Sequence, residues 1–155
     1  MRQRDLVRLG LGTIGMALSI AGCSSSTSNN GGGGGTPGPD LSGNYDLVSI
    51  AQAGGAPVTP PNATGTLTLT QTSTNHGTYA VDLTIAGAPP THVVDNGTYQ
   101  QKHVNGIDSL YQVSSGALGQ QVGTYTFKDN TGVGMDTLLV NVTAQGIPVT
   151  TVWFK

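Results

Sequence analysis

Thr66-Leu67-Thr68-Leu69-Thr70 alternates polar and apolar side chains without a fault, and Thr78 to Ile85 does the same. In the second run Tyr79, Val81, Leu83 and Ile85 share one face, and Thr78, Ala80, Asp82 and Thr84 share the other. A period of two sends successive side chains to opposite faces of an extended chain, which is the pattern of a half-buried strand. The residue types agree, because Thr, Val, Ile and Tyr all suit a pleated surface. No window of helical length places apolar residues at i, i+3, i+4 and i+7. Glu is absent, and no Arg follows Arg8, so few strong polar helix formers remain. The pattern predicts an all-β domain over 41–155.

Eight strands are predicted, at about 43–50, 64–71, 77–86, 91–101, 107–114, 121–128, 135–143 and 147–154. The links between them are short and rich in turn residues, among them Asn75-His76-Gly77, Asn105-Gly106, Asp129-Asn130-Thr131-Gly132 and Gln145-Gly146. Short links join antiparallel neighbours. Asp95-Asn96-Gly97 interrupts the fourth strand and predicts a bulge or bend there. Gly-Thr-Tyr recurs at 77–79, 97–99 and 123–125, at unequal intervals that point to repeated strand chemistry and not to a solenoid. Eight such strands either close into an up-and-down barrel or stack as a two-sheet sandwich.

The N-terminus has a different character. Arg2, Arg4 and Arg8 precede an apolar run from Leu9 to Ile20, which is too short to span a bilayer and suits a signal-peptide core. The run ends in Ile20-Ala21-Gly22-Cys23, around the chain's single cysteine. This resembles the bacterial lipobox, which implies cleavage between Gly22 and Cys23 and acylation of Cys23. Each buried methylene contributes about 0.8 kcal/mol, so two or three acyl chains hold a protein on a membrane where one would not. Ser24 stands where Asp would be the usual inner-membrane retention signal, so the resemblance implies the outer membrane of a two-membrane cell. The sequence thus divides into a signal peptide over 1–22, a lipidated tether over 23–40 and the β-domain over 41–155. Ser24 to Asp40 is rich in Ser, Gly and Pro with nothing apolar to bury, as a flexible tether requires.

The β-domain resembles the small lipocalin-like domains of bacterial lipoproteins. Gly43-Asn44-Tyr45-Asp46-Leu47-Val48-Ser49 is similar to their opening strand, and Val152-Trp153-Phe154-Lys155 to their closing one. Tyr45 stands where lipocalins carry Trp, and Lys155 is the nearby cation in place of their Arg. The resemblance implies an eight-stranded barrel able to bind a small apolar ligand or an envelope component. The interior of so small a barrel is filled by side chains or holds one ligand, and filling is the default. A cavity would be lined by Tyr45, Leu47, Leu67, Leu69, Val81, Leu83, Tyr125, Phe127 and Leu138, with Ile85 and Val140 on the same inward face. Trp153 belongs to the core, where its indole N–H needs a partner.

Little in the chain suggests chemistry. His76, His92 and His103 lack metal-ligand spacing, and Glu-dependent zinc motifs are impossible. No Ser lies in a G-x-S-x-G elbow. Gly33 to Gly38 and Gly10 to Gly15 both fit G-x-G-x-x-G, but neither lies between a strand and a helix, so neither marks a dinucleotide site. Asp82 falls on a polar strand face and Asp95 and Asp129 in turn-like settings, so no carboxylate pair stands out. Asp129 to Gly132 lacks the spaced acids of a calcium loop. Beyond Cys23, three Lys face seven Asp, which disfavours a nucleic-acid partner. The expectation is a binding or structural module, without metal or cofactor, and not an enzyme.

Overall fold

The computed structural model describes residues 37–116, 118–130 and 134–155. Gly22, Cys23 and the rest of the expected signal peptide and tether up to residue 36 lie outside the described residues. Eight strands follow in chain order: β1 (Gly43–Gln52), β2 (Ala63–Ser73), β3 (His76–Ile85), β4 (Thr91–Val104), β5 (Ile107–Ser114), β6 (Gln120–Lys128), β7 (Thr137–Ala144) and β8 (Ile147–Phe154). Each pairs antiparallel with its sequence neighbour, and β1 also pairs with β8. The sheet is a closed barrel, not a sandwich. Closure satisfies the hydrogen-bonding groups that an edge strand would expose.

Strand β1 makes closure possible by serving two neighbours. Its first half, Gly43–Asp46, pairs with β2, while Asp46–Gln52 pairs with β8, and a register shift falls between Leu47 and Ser49. Beyond the point where β1 leaves β2, Ile50 exchanges both backbone hydrogen bonds with Val58, at 2.9 and 2.8 Å. The 53–62 connection is thereby folded back along the barrel. Asn105-Gly106 and Gln145-Gly146 join their strands with positive φ at both turn residues, the twist that a two-residue hairpin demands.

No bulge forms at Asp95-Asn96-Gly97. β3 and β4 stay in register there, Val81 opposite Asp95, Ala80 opposite Asn96 and Tyr79 opposite Gly97. Tertiary packing explains the glycine. The first two Gly-Thr-Tyr triplets lie against each other head to tail, Gly77 opposite Tyr99 and Tyr79 opposite Gly97. A Cβ at Gly77 would stand 2.5 Å from the Tyr99 ring, and one at Gly97 would stand 3.0 Å from the Tyr79 ring and 2.0 Å from the Val113 carbonyl oxygen. Each glycine leaves room for the tyrosine of the other triplet. Gly123, in the third, abuts the Asn141 carbonyl oxygen at 2.0 Å by the same construction.

The inward face is the expected one. Tyr45, Leu47, Leu67, Leu69, Leu83, Tyr125, Leu138 and Val140 are buried in the core, and Val81, Ile85 and Phe127 pack against it partly buried. The two ends of the barrel differ. At the end where β1 begins and β8 finishes, the interior is filled. Leu41, fully buried, accepts a 2.8 Å hydrogen bond from Tyr45 through its backbone carbonyl. Asn75 binds the Gly38 N–H through its side chain at 2.7 Å, and its own carbonyl accepts from Gln101 N–H at 2.7 Å. The Tyr125 hydroxyl donates to Gln101 Oε1 at 2.9 Å. Lys155 donates to the Ser42 carbonyl at 2.8 Å and stands over the Tyr45 and Phe127 rings, 5.2 and 5.3 Å from their centroids.

The composition of residues 37–40 predicts tether, yet Gly38 is docked into this sealed end through its hydrogen bond to Asn75. Gly33–Lys155 forms one compact unit. It contains all eight strands, every described core residue and a sheet without a free edge, so it has what it needs to fold on its own.

Candidate functional site

The opposite end of the barrel is open. Between the filled half and the mouth lies a cavity of about 540 Å³. Small-molecule sites typically run from about 300 to 1,000 Å³. Leu67, Leu69, Val81, Leu83 and Leu138 line it, as expected from the alternating pattern. Tyr45, Leu47, Tyr125 and Phe127 do not contribute to the lining. They share the inward face but belong to the filled end or lie beside it, because their strands run past the cavity floor. Filling and cavity thus coexist in one barrel, divided along its axis.

The remaining wall comes from residues that alternation did not single out for this role. Ile50, Val58, Val93, Leu110, Val142, Val149 and Trp153 are among them. The folded-back connection adds Gly55 and Ala56, and Leu118 projects from the β5–β6 link. Trp153 donates its indole N–H to Thr151 Oγ1 at 2.7 Å, which supplies the partner that a buried indole needs and leaves the ring apolar toward the cavity.

The largely aliphatic wall carries one carboxylate among its described residues. Asp95 lines the cavity and is only 7% exposed. Its Oδ2 accepts a hydrogen bond from the Tyr79 hydroxyl at 2.6 Å, and its Oδ1 accepts a short one from Ser114 Oγ. Ser114 Oγ is fixed in turn by the Gly116 N–H at 2.9 Å. Burial, then the hydrogen bond to Asp95 and its charge, raise the Tyr79 pKa. Tyr79 therefore stays a neutral donor to the carboxylate. Gln112 and Gln121, which face each other across β5 and β6, bring two amides to the same wall.

Asp95 is not in a turn: it lies in the β3–β4 ladder and is buried. Asp-Asn-Gly is strong turn chemistry in isolation. The parity of the strand carried the better signal, since Asp95 is in step with Val93, Tyr99 and Gln101, all of which point inward.

The other candidate groups lie outside. His92 pairs with Asp82 at 2.9 Å and His103 with Asp108 at 2.7 Å, both on the exposed surface. His76 contacts the Thr74 carbonyl beside the β2–β3 turn. Among the described residues no three His, Cys, Asp or Glu side chains gather as a metal site would require. Asn130 is held in its loop by Asp136 and the Met135 carbonyl.

Comparison with family models, with curated proteins and with solved structures gives no match for this chain.

Proposed function

We propose that this chain is a lipid-anchored protein of the bacterial cell envelope whose barrel binds one small, largely apolar molecule. The cavity carries the reading. A barrel of eight strands can fill itself with side chains, and this one fills only the half nearest its N-terminus. Leaving about 540 Å³ of aliphatic space unfilled sacrifices packing contacts, which is the usual condition of a ligand site. Among the described lining residues Asp95 is the only carboxylate, and no His joins it.

The anchor rests on the sequence of residues 2 to 23. The chain reaches the barrel at its sealed end, through Gly38 and Leu41.

Two experiments test the two parts. Residues 33–155, purified from a bacterial host and extracted into organic solvent, should release a bound apolar molecule detectable by mass spectrometry. An empty extract, joined to no response of Trp153 fluorescence to added fatty alcohols, would leave a structural module as the function. For the anchor, Cys23→Ser in the full chain should abolish acylation and release the protein from the detergent phase; persistence there would refute it.

A further inference from the structure

We propose that the cavity selects amphiphiles whose head group is a protonated amine, held by Asp95, with the aliphatic tail along Leu67, Leu83, Leu138 and Val140. This rests on the ligand-binding reading above and names the class of ligand. The argument begins with what Asp95 lacks. Among the described residues lining the cavity there is no Lys, Arg or His, and the three ion pairs formed by described residues all involve other aspartates. A carboxylate in an apolar wall is costly unless its charge is compensated.

Its neighbours compensate only partly. Tyr79 and Ser114 each donate one hydrogen bond, one to each oxygen. An ionised carboxylate offers about four acceptor positions, so capacity remains on both oxygens. Both donors among the described residues are neutral hydroxyls, which orient the carboxylate without cancelling its charge. They also fix it in place: Tyr79 is itself buried and packed over Gly97, and Ser114 is tied to the backbone of Gly116. The result is a rigid negative pole beside a largely apolar space. An ammonium group supplies three donors and the opposite charge, and the carbonyl oxygens of Gln112 and Gln121 provide further acceptors on the same wall. A carboxylate head would face repulsion from Asp95 in a medium that screens poorly. A hydroxyl head would bind without the charge-assisted gain.

The test uses three probes of one chain length, dodecylamine, dodecanol and dodecanoate, each below its micelle concentration. Binding to residues 33–155 is read by Trp153 fluorescence and by calorimetry. In the unaltered protein, dodecylamine should bind at least tenfold more tightly than dodecanol, and dodecanoate more weakly than either. Asp95→Asn keeps the shape and an acceptor for Tyr79, and it should bring dodecylamine and dodecanol to similar affinities. The probe series on the unaltered protein stands even if the variant fails to fold. Equal binding of dodecylamine and dodecanol, tight binding of dodecanoate, or an amine preference that survives in a folded Asp95→Asn variant would overturn the assignment. Binding of dodecanol without amine preference removes this inference alone. Failure of all three probes removes the ligand-binding reading and this inference with it.

Discussion

Gly97 shows how much a single position can carry when two strands press their side chains into one interior. Its missing Cβ admits the Tyr79 ring and the Val113 carbonyl, and the Tyr79 hydroxyl then reaches Asp95. Gly97→Ala should therefore destabilise the barrel by about 3 kcal/mol, at the upper end of what overpacking usually costs. Gly134→Ala, whose Cβ would meet nothing closer than 3.8 Å, should cost little. Denaturant midpoints of the two variants, compared directly, test the contrast. A second residue-scale expectation concerns the tyrosines. Burial raises the pKa of Tyr45, Tyr79, Tyr99 and Tyr125, in the case of Tyr125 from 10.0 to about 12. The folded state thus favours the neutral hydroxyls. Their contribution is complete below pH 10, and it is lost as pH rises from there, because the unfolded chain releases these protons first. Urea midpoints should hold steady up to that point and then fall, with tyrosinate absorbance appearing together with unfolding. Tyrosinate forming well before unfolding would contradict it.

At the scale of elements, the segment ahead of β1 is the clearest case of structure that composition hides. Pro37 to Ser42 looks like the end of a Gly- and Pro-rich tether, yet Leu41 is fully buried and Gly38 is hydrogen-bonded to Asn75. Leu41→Ala should cost about 3 kcal/mol, within the usual range for a buried leucine. A chain beginning at residue 43 should melt well below one beginning at residue 33, as thermal circular dichroism would show. Elsewhere the elements were legible. Alternation and turn residues located all eight strands, because a period of two and an Asn-Gly turn are local properties. The bulge expected at Asp95-Asn96-Gly97 was not found. Those three residues carry turn chemistry, but contacts with Tyr79 and Ser114, sixteen and nineteen residues away, outweigh it.

For the whole molecule, closure and asymmetric filling set the properties that matter. One half of the interior is packed with Leu41, Tyr45, Tyr99, Tyr125 and Gln101, while the other half is open to the mouth. Val140 is buried and lines the open half. Val140→Phe should occupy the cavity, weakening dodecanol binding at least tenfold while the melting temperature stays nearly constant. Calorimetry and thermal unfolding of the same sample would check it, and unchanged affinity would place the ligand elsewhere. Because Trp153 is the chain's single tryptophan and lines the cavity, its emission reports directly on occupancy.

The all-β class, the strands, their antiparallel succession and the set of inward-facing residues follow from local periodicity and turn chemistry alone. Alternation alone left a sandwich as the alternative to the barrel that the resemblance implied. Which inward residues fill space and which surround it was also beyond its reach. Tyr45 and Leu67 are alike in parity and burial, but one lies in the sealed end and the other on the cavity wall. Both depend on contacts between residues distant in sequence. Closure depends on β1 shifting register to meet β8. Depth along the barrel axis depends on how the strands are staggered, and the charge of Asp95 gains its meaning from a wall assembled by all eight.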